Sequence, residues 1–173
     1  MKTMQAAIWY GAGRENFRLE TIEKPSPQSG EVLIEVKKCF FCAMHARAVL
    51  VGHAKHTPPV IFGRMFAGEV IAVGKDLNHI KEGMRVTVNP EKPCGECFYC
   101  QKEEFGHCLN PIKLKTGAMA EYVCIPPSLV HNIFELPSSI PYEFGAYTET
   151  LACILQGMDL SNITFSDCII IIG

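Results

Sequence analysis

Four cysteines, Cys94, Cys97, Cys100 and Cys108, fall within one short, polar, turn-rich segment. Pro93-Cys94-Gly95-Glu96-Cys97-Phe98-Tyr99-Cys100 carries two overlapping C-x-x-C units, and Gly106-His107-Cys108 adds a thiol a short loop later. A C-x-x-C turn presents two sulfurs to the same side of one ion, and structural zinc takes four thiolate or imidazole ligands in a closed tetrahedron. The spacing therefore predicts about one structural zinc per chain, held by these four thiolates. An iron–sulfur cluster also uses four thiolates, and a C-x-x-C pair can serve redox exchange. The compact spacing, in a sequence without other redox apparatus, favours zinc. His107 is read as a solvent-facing neighbour, since four thiolates already complete the shell. A site with four protein ligands leaves no position for substrate, so this lobe stabilises and does not catalyse.

The elements that must position the lobe are short and β-rich. Strands are expected at Gln5–Tyr10, Phe17–Glu23, Val32–Cys39, Phe66–Val73, Arg85–Asn89 and Ala120–Ile125, from β-branched or alternating runs bounded by Gly and Pro. Turns at Pro25-Ser26-Pro27-Gln28-Ser29-Gly30, His56-Thr57-Pro58-Pro59 and Lys81-Glu82-Gly83 separate them. Helices are expected at Ala43–Val51 and Tyr142–Asp159, the second broken or restarted near Gly145. The fold class is mainly β: a small antiparallel barrel with short helices. The closing run Asp167-Cys168-Ile169-Ile170-Ile171-Ile172-Gly173 differs, being continuously apolar like a strand buried on both faces of a parallel sheet.

Composition excludes several partner classes. The chain has 173 residues with 16 basic against 18 acidic side chains, a net charge of −2 and no Lys/Arg-rich run, so nucleic acid is not an expected partner. The N-terminus has no signal-peptide pattern and no apolar run approaches bilayer-spanning length, so neither secretion nor a membrane partner is expected and the location is read as cytoplasmic. Nine cysteines, an odd count, argue against a disulfide framework. Cys39, Cys42, Cys124, Cys153 and Cys168, scattered through apolar stretches, are read mainly as core thiols.

With the lobe in place, the chain resembles the zinc-containing medium-chain dehydrogenases/reductases, whose N-terminal domain is a GroES-like barrel. The resemblance is carried by the lobe, by Cys39-Phe40-Phe41-Cys42, by Pro59-Val60-Ile61-Phe62-Gly63-Arg64-Met65-Phe66-Ala67-Gly68 and by Glu149-Thr150-Leu151-Ala152. It implies a GroES-like, substrate-side domain over residues 1–166 with the zinc lobe at 90–112, and residues 167–173 as the first strand of a Rossmann domain that is absent here. Gly173 would be the first glycine of that domain's G-x-G-x-x-G turn, so NAD or NADP would bind only a complete protein. The resemblance implies oxidation of an alcohol or polyol to a carbonyl compound, a small-molecule substrate, and frequent homo-oligomers. This chain alone is expected to be inactive.

By the same motifs, Cys42 stands at the cysteine ligand of the family's catalytic zinc, and Glu149 resembles the carboxylate ligand of its polyol-dehydrogenase branch. Where the family reads Gly-His-Glu, this chain has Gly63-Arg64-Met65, so a neutral imidazole has become a permanent cation. After Cys42 the family places a small residue, a proton-relaying hydroxyl residue and an aspartate; here stand Ala43, Met44 and His45. Arg64 is accordingly expected to pair with Glu149 beside Cys42 in a metal-free pocket. The competing arrangement is a rewired zinc site of Cys42, His45 and Glu149, although His45 taken alone reads as a surface helix residue. His53, His56, His79 and His131 show no ligand spacing. The alternative to an enzyme is a catalytically degenerate binding or structural module that keeps the structural zinc.

Overall fold

Val32, Leu33 and Ile34 are all buried, so the third strand of the chain is covered on both faces and belongs inside a sheet. The computed structural model, which describes residues 2–54 and 56–172, places it there. The strands are β1 (Thr3–Trp9), β2 (Phe17–Glu23), β3 (Val32–Cys39), β4 (Val60–Ile61), β5 (Phe66–Val73), β6 (Arg85–Val88), β7 (Glu91–Lys92), β8 (Ile112–Lys113), β9 (Tyr122–Ile125) and β10 (Ile133–Glu135). Helices α1 (Ala43–Val51), α2 (Phe98–Gln101), α3 (Tyr142–Ala146) and α4 (Thr148–Leu160) are interspersed. Five strands form one antiparallel sheet in the order β10-β6-β5-β3-β9, three form a second in the order β2-β1-β4, and β7 pairs with β8 alone. Ala6 bridges Ala120, and the Ala7 and Glu121 amides bond across the same join, tying the two larger sheets together. This is the mainly β architecture with short helices expected from the sequence.

The main core lies on the five-stranded sheet, where Ile34, Phe66, Val70, Val86, Ile125 and Leu129 pack together. A second cluster stacks Trp9 on Phe62, ring centroids 5.2 Å apart, and holds Ala48 and Val49 of α1 against them. Helix α1 thus has its position set by the segment that leads to Arg64. The expected long helix is two: α3 packs on β3 and β5, the chain breaks at Tyr147, and α4 restarts with no buried residue. Gly145 lies at this docking, where a Cβ would press on the Leu136 side-chain methyls and on Ala67.

Strands β4, β7, β8 and β10 were not anticipated; at two or three residues each they are too short to show a period-two pattern. The run Asp167–Ile172 has no strand partner among the described residues and Ile170–Ile172 are exposed; Gly173 lies outside the described residues. Of the scattered cysteines read mainly as core thiols, Cys39 packs half-buried against the main core, Cys42 and Cys124 are half-buried, and Cys153 and Cys168 are exposed, against that reading.

Strand β5 approaches β3 closely where Gly68 faces Val36, next to a register irregularity between Val36 and Lys38. A Cβ at Gly68 would run into the backbone carbonyl of Glu35. Gly68→Ala should therefore cost about 1–3 kcal/mol, the usual range for overpacking a fixed core. Urea denaturation read by Trp9 fluorescence measures it; an unchanged midpoint would show that the strands separate freely at this point.

Candidate functional site

The lobe begins where β7 leaves the barrel and ends where β8 returns, Glu91 facing Lys113 and Lys92 facing Ile112 at its stem. Gly95, at φ +84, lets the first C-x-x-C segment turn back on itself; space is not the reason, since nothing would crowd a Cβ there. Helix α2 and a 3-10 turn at Phe105–His107 then bring the remaining thiols back. The four sulfurs lie within 4.8 Å of one another. Cys97–Cys100, Cys94–Cys108, Cys94–Cys100 and Cys97–Cys108 are 3.5, 3.6, 3.9 and 4.0 Å apart. Zinc–sulfur bonds of about 2.3 Å in a tetrahedron put the sulfurs about 3.8 Å apart, so the set fits zinc as it stands. His107 is exposed and packs on Tyr99, as expected of a bystander.

The protonation chemistry of the set agrees with that fit. Backbone amides of Leu109 and Cys100 point at the Cys97 sulfur and bring its thiol down to about 6, while burial pushes Cys100 up to about 12. Amides of Glu96 and Cys97 lower Cys94. Four thiolates this close repel one another, and a dication among them removes that conflict by deprotonating all four.

The second region is a cavity of about 400 Å³ between α1, the Phe62–Arg64 segment and the segment that follows β8. His45 lies in its wall and is 2 % exposed, which overturns the reading of it as a surface residue. It occupies the third position of α1, where its Nδ1 accepts the Cys42 amide at 3.3 Å while its own amide bonds back to the Cys42 sulfur. Phe62 and Phe41 cover its ring, at 5.1 and 5.7 Å between centroids. Burial, then the nearby His56 and Arg64, lower its pKa from 6.5 to about 4. His45 is thus a neutral cap of α1, with the Cys42 sulfur 3.3 Å from its Nδ1.

Arg64 does not pair with Glu149. Its Nη2 donates to Glu91 Oε2 at 2.8 Å, and Lys113 Nζ reaches the same oxygen at 3.4 Å. Burial raises the Glu91 carboxyl, but the hydrogen bond and charge of Arg64, joined by Lys113, outweigh it and hold the carboxyl below its usual range. Glu149 sits on α4 and lines a different, wider cavity of about 640 Å³ with Thr87, Asn89 and Phe134. It has no ion-pair partner among the described residues. The neighbour that α4 brings to the Arg64 segment is Thr150, whose hydroxyl donates to Met65 Sδ at 2.7 Å. Cys42, His45 and Glu149 do not assemble as a metal-ligand group: among the described residues only the four lobe cysteines do. The Arg64–Glu149 expectation fails because β7 offers Arg64 a carboxylate that no motif marks.

The family follows from residues 28–137, which match the alcohol dehydrogenase GroES-like domain. The chain belongs to that family. Similar curated proteins include a D-arabitol-phosphate dehydrogenase of Enterococcus avium, 30% identical over 99% of this chain and 49% of its own length. Another is an erythritol/L-threitol dehydrogenase of Mycolicibacterium smegmatis, 31% identical over 98% of this chain and 51% of its length. A protein of Sinorhizobium meliloti 1021 described as a zinc-binding dehydrogenase, solved with NADP bound, superposes with a TM-score of 0.80. It is 32% identical and matches 92% of this chain and 46% of its own. The chain spans about half the length of these relatives. Within this GroES-like barrel, sequence reasoning missed Lys113, Lys115, Thr116, His53 and His56 as cavity residues and Glu91 as the ion-pair partner of Arg64. Glu91 and Lys113 were findable in principle, because the two ends of a metal-closed loop must meet.

His45 gives the barrel a specific acid response. The unfolded chain takes up its proton near 6.5 and the folded one only near 4. The stability this group supports is therefore complete above about pH 6.5 and is lost as pH falls toward 4. Comparing unfolding free energies of the native chain and His45→Gln across that window should show a shallower pH slope for the variant. Parallel slopes would mean that His45 is not the titrating group.

Proposed function

We propose that the chain is the substrate-side domain of a nicotinamide-dependent oxidoreductase acting on alcohols or polyols, with structural zinc in its lobe and a catalytic metal position altered by Arg64. The observation that carries the reading is the set of four sulfurs at zinc-tetrahedron spacing within a barrel of the alcohol dehydrogenase family. Cys94, Cys97, Cys100 and Cys108 would hold the zinc, which cross-links the lobe and adds to its folding free energy. NAD or NADP would bind a Rossmann domain of the complete protein that opens with residues 167–173, Gly173 being the first glycine of its phosphate-binding turn. This chain by itself then neither binds the cofactor nor turns over alcohols. A cytoplasmic homo-oligomer goes with the same reading.

In the barrel, Cys42 and Glu149 are the residues that correspond to the metal ligands of the family. Cys42 is engaged with His45, and Arg64 supplies a fixed positive charge in the cavity wall that needs no metal. A second reading, a binding module without redox chemistry, is supported by the separation of Glu149 from the cavity that holds His45 and Arg64, and by Met44, which cannot relay a proton.

Elemental analysis of the purified chain should return about one zinc, falling toward zero in Cys97→Ser/Cys100→Ser. Calorimetric titration of this chain with NADH or NADPH should show no micromolar binding. Turnover of an alcohol or polyol panel by the complete protein decides between the two readings: nicotinamide reduction supports the oxidoreductase, and substrate binding without it supports the module.

A further inference from the structure

The cavity beside His45 is walled by an unusual set of polar groups. Arg64, Lys113 and Lys115 contribute fixed positive charges, His53 and His56 contribute imidazoles, and Thr116 contributes a hydroxyl. Among the described residues, the ion pairs of Arg64 and Lys113 both end on one oxygen, Glu91 Oε2, and Lys115 has no ion pair. One carboxylate thus pairs with two of the three cations of the cavity wall and leaves Lys115 without an ion pair. Arg64 spends a single Nη2 hydrogen bond on Glu91, and a guanidinium carries five N–H donors in a planar fork, so donors remain for a second oxyanion. His56 registers the same imbalance: burial lowers its pKa, and His53, Arg64 and Lys113 lower it further. Lys113 and Lys115 are exposed, but with Arg64 they line one concave space; at about 400 Å³ the cavity falls within the range of roughly 300–1,000 Å³ usual for small-molecule sites.

We propose that this cavity binds the phosphate group of a phosphorylated polyol, with Arg64, Lys113 and Lys115 as its electrostatic anchor. A phosphate monoester carries nearly two negative charges near neutral pH and three terminal oxygens. That matches the two positive charges left over once Glu91 has neutralised one, and it exceeds what a carboxylate offers. The remaining volume accommodates the hydroxylated chain, with the Thr116 hydroxyl on the wall. The substrate class rests on the polyol oxidoreductase reading given above; the phosphate preference rests on the cavity alone. Glu91 then acts as a positioning residue: it holds Arg64 and Lys113 together and competes with the ligand for them.

The test is calorimetric titration of the zinc-loaded chain with ribitol phosphate, ribitol and inorganic phosphate, at low and at physiological salt. Ribitol phosphate should bind at least about tenfold more tightly than ribitol, with an affinity that weakens as salt rises. Lys115→Gln, an exposed change that leaves the barrel core untouched, should weaken it several-fold. Glu91→Gln should tighten it, because the competing carboxylate is gone; a site in which Glu91 is merely structural would lose affinity instead. Equal binding of ribitol and ribitol phosphate, or no effect of Lys115→Gln, overturns the proposal. Binding of inorganic phosphate as tightly as ribitol phosphate overturns the polyol ester as ligand. None of these outcomes depends on turnover, so failure of the oxidoreductase reading would appear separately, as a complete protein that binds polyol phosphate and reduces no nicotinamide.

Discussion

Glu91 ties the two chemically active parts of this molecule together. It opens β7, the strand from which the cysteine lobe departs, and its carboxylate reaches back to Arg64 in the cavity wall at 2.8 Å. Lys113, its register partner across the lobe stem, reaches the same oxygen. The three side chains are each about a third to a half exposed, so the pairing is worth at most about 1 kcal/mol and does not hold the barrel up. What it fixes is orientation. Without it Arg64 would be free to extend to solvent, and the two strands of the stem would be joined by little more than a two-residue ladder.

The lobe and the barrel solve different physical problems. The barrel has an apolar core of ordinary kind, built on Ile34, Phe66, Val70, Val86, Ile125 and Leu129. The lobe has almost none: Phe98, Phe105 and Leu109 are exposed and only Cys100 is buried. A segment that cannot bury enough surface to offset its chain entropy needs a cross-link, and four sulfurs at 3.5–4.0 Å supply the ligands for one. The lobe is therefore organised from its sulfurs outward, whereas the barrel is organised from its core outward.

This difference explains what could be read from the sequence. The clustering of the four lobe cysteines was legible because cysteine spacing is local and zinc demands few geometries. The strands Phe17–Glu23, Val32–Cys39 and Phe66–Val73 and the helix Ala43–Val51 were legible to the residue, because each is long enough to display its periodicity and is closed by Gly or Pro signals. The cavity was not. Arg64 finds Glu91 through tertiary structure, across 27 positions, and nothing in a one-dimensional reading ranks Glu91 above Glu149. His45 was misplaced for a related reason: on helix α1 it looks solvent-facing, and only Phe41 and Phe62, brought over it by the fold, bury it.

The shared oxygen of Glu91 also constrains how this surface can change over generations. Replacing Arg64 alone leaves a partly buried carboxylate with Lys113 as its one cation, at 3.4 Å, and replacing Glu91 alone leaves two cations that had shared one oxygen without it. Charge-altering changes at positions 64, 91 and 113 are thus coupled, each setting the cost of the others. An imidazole at position 64 would leave Glu91 to Lys113 alone, so a change in the cavity wall is felt at the lobe stem.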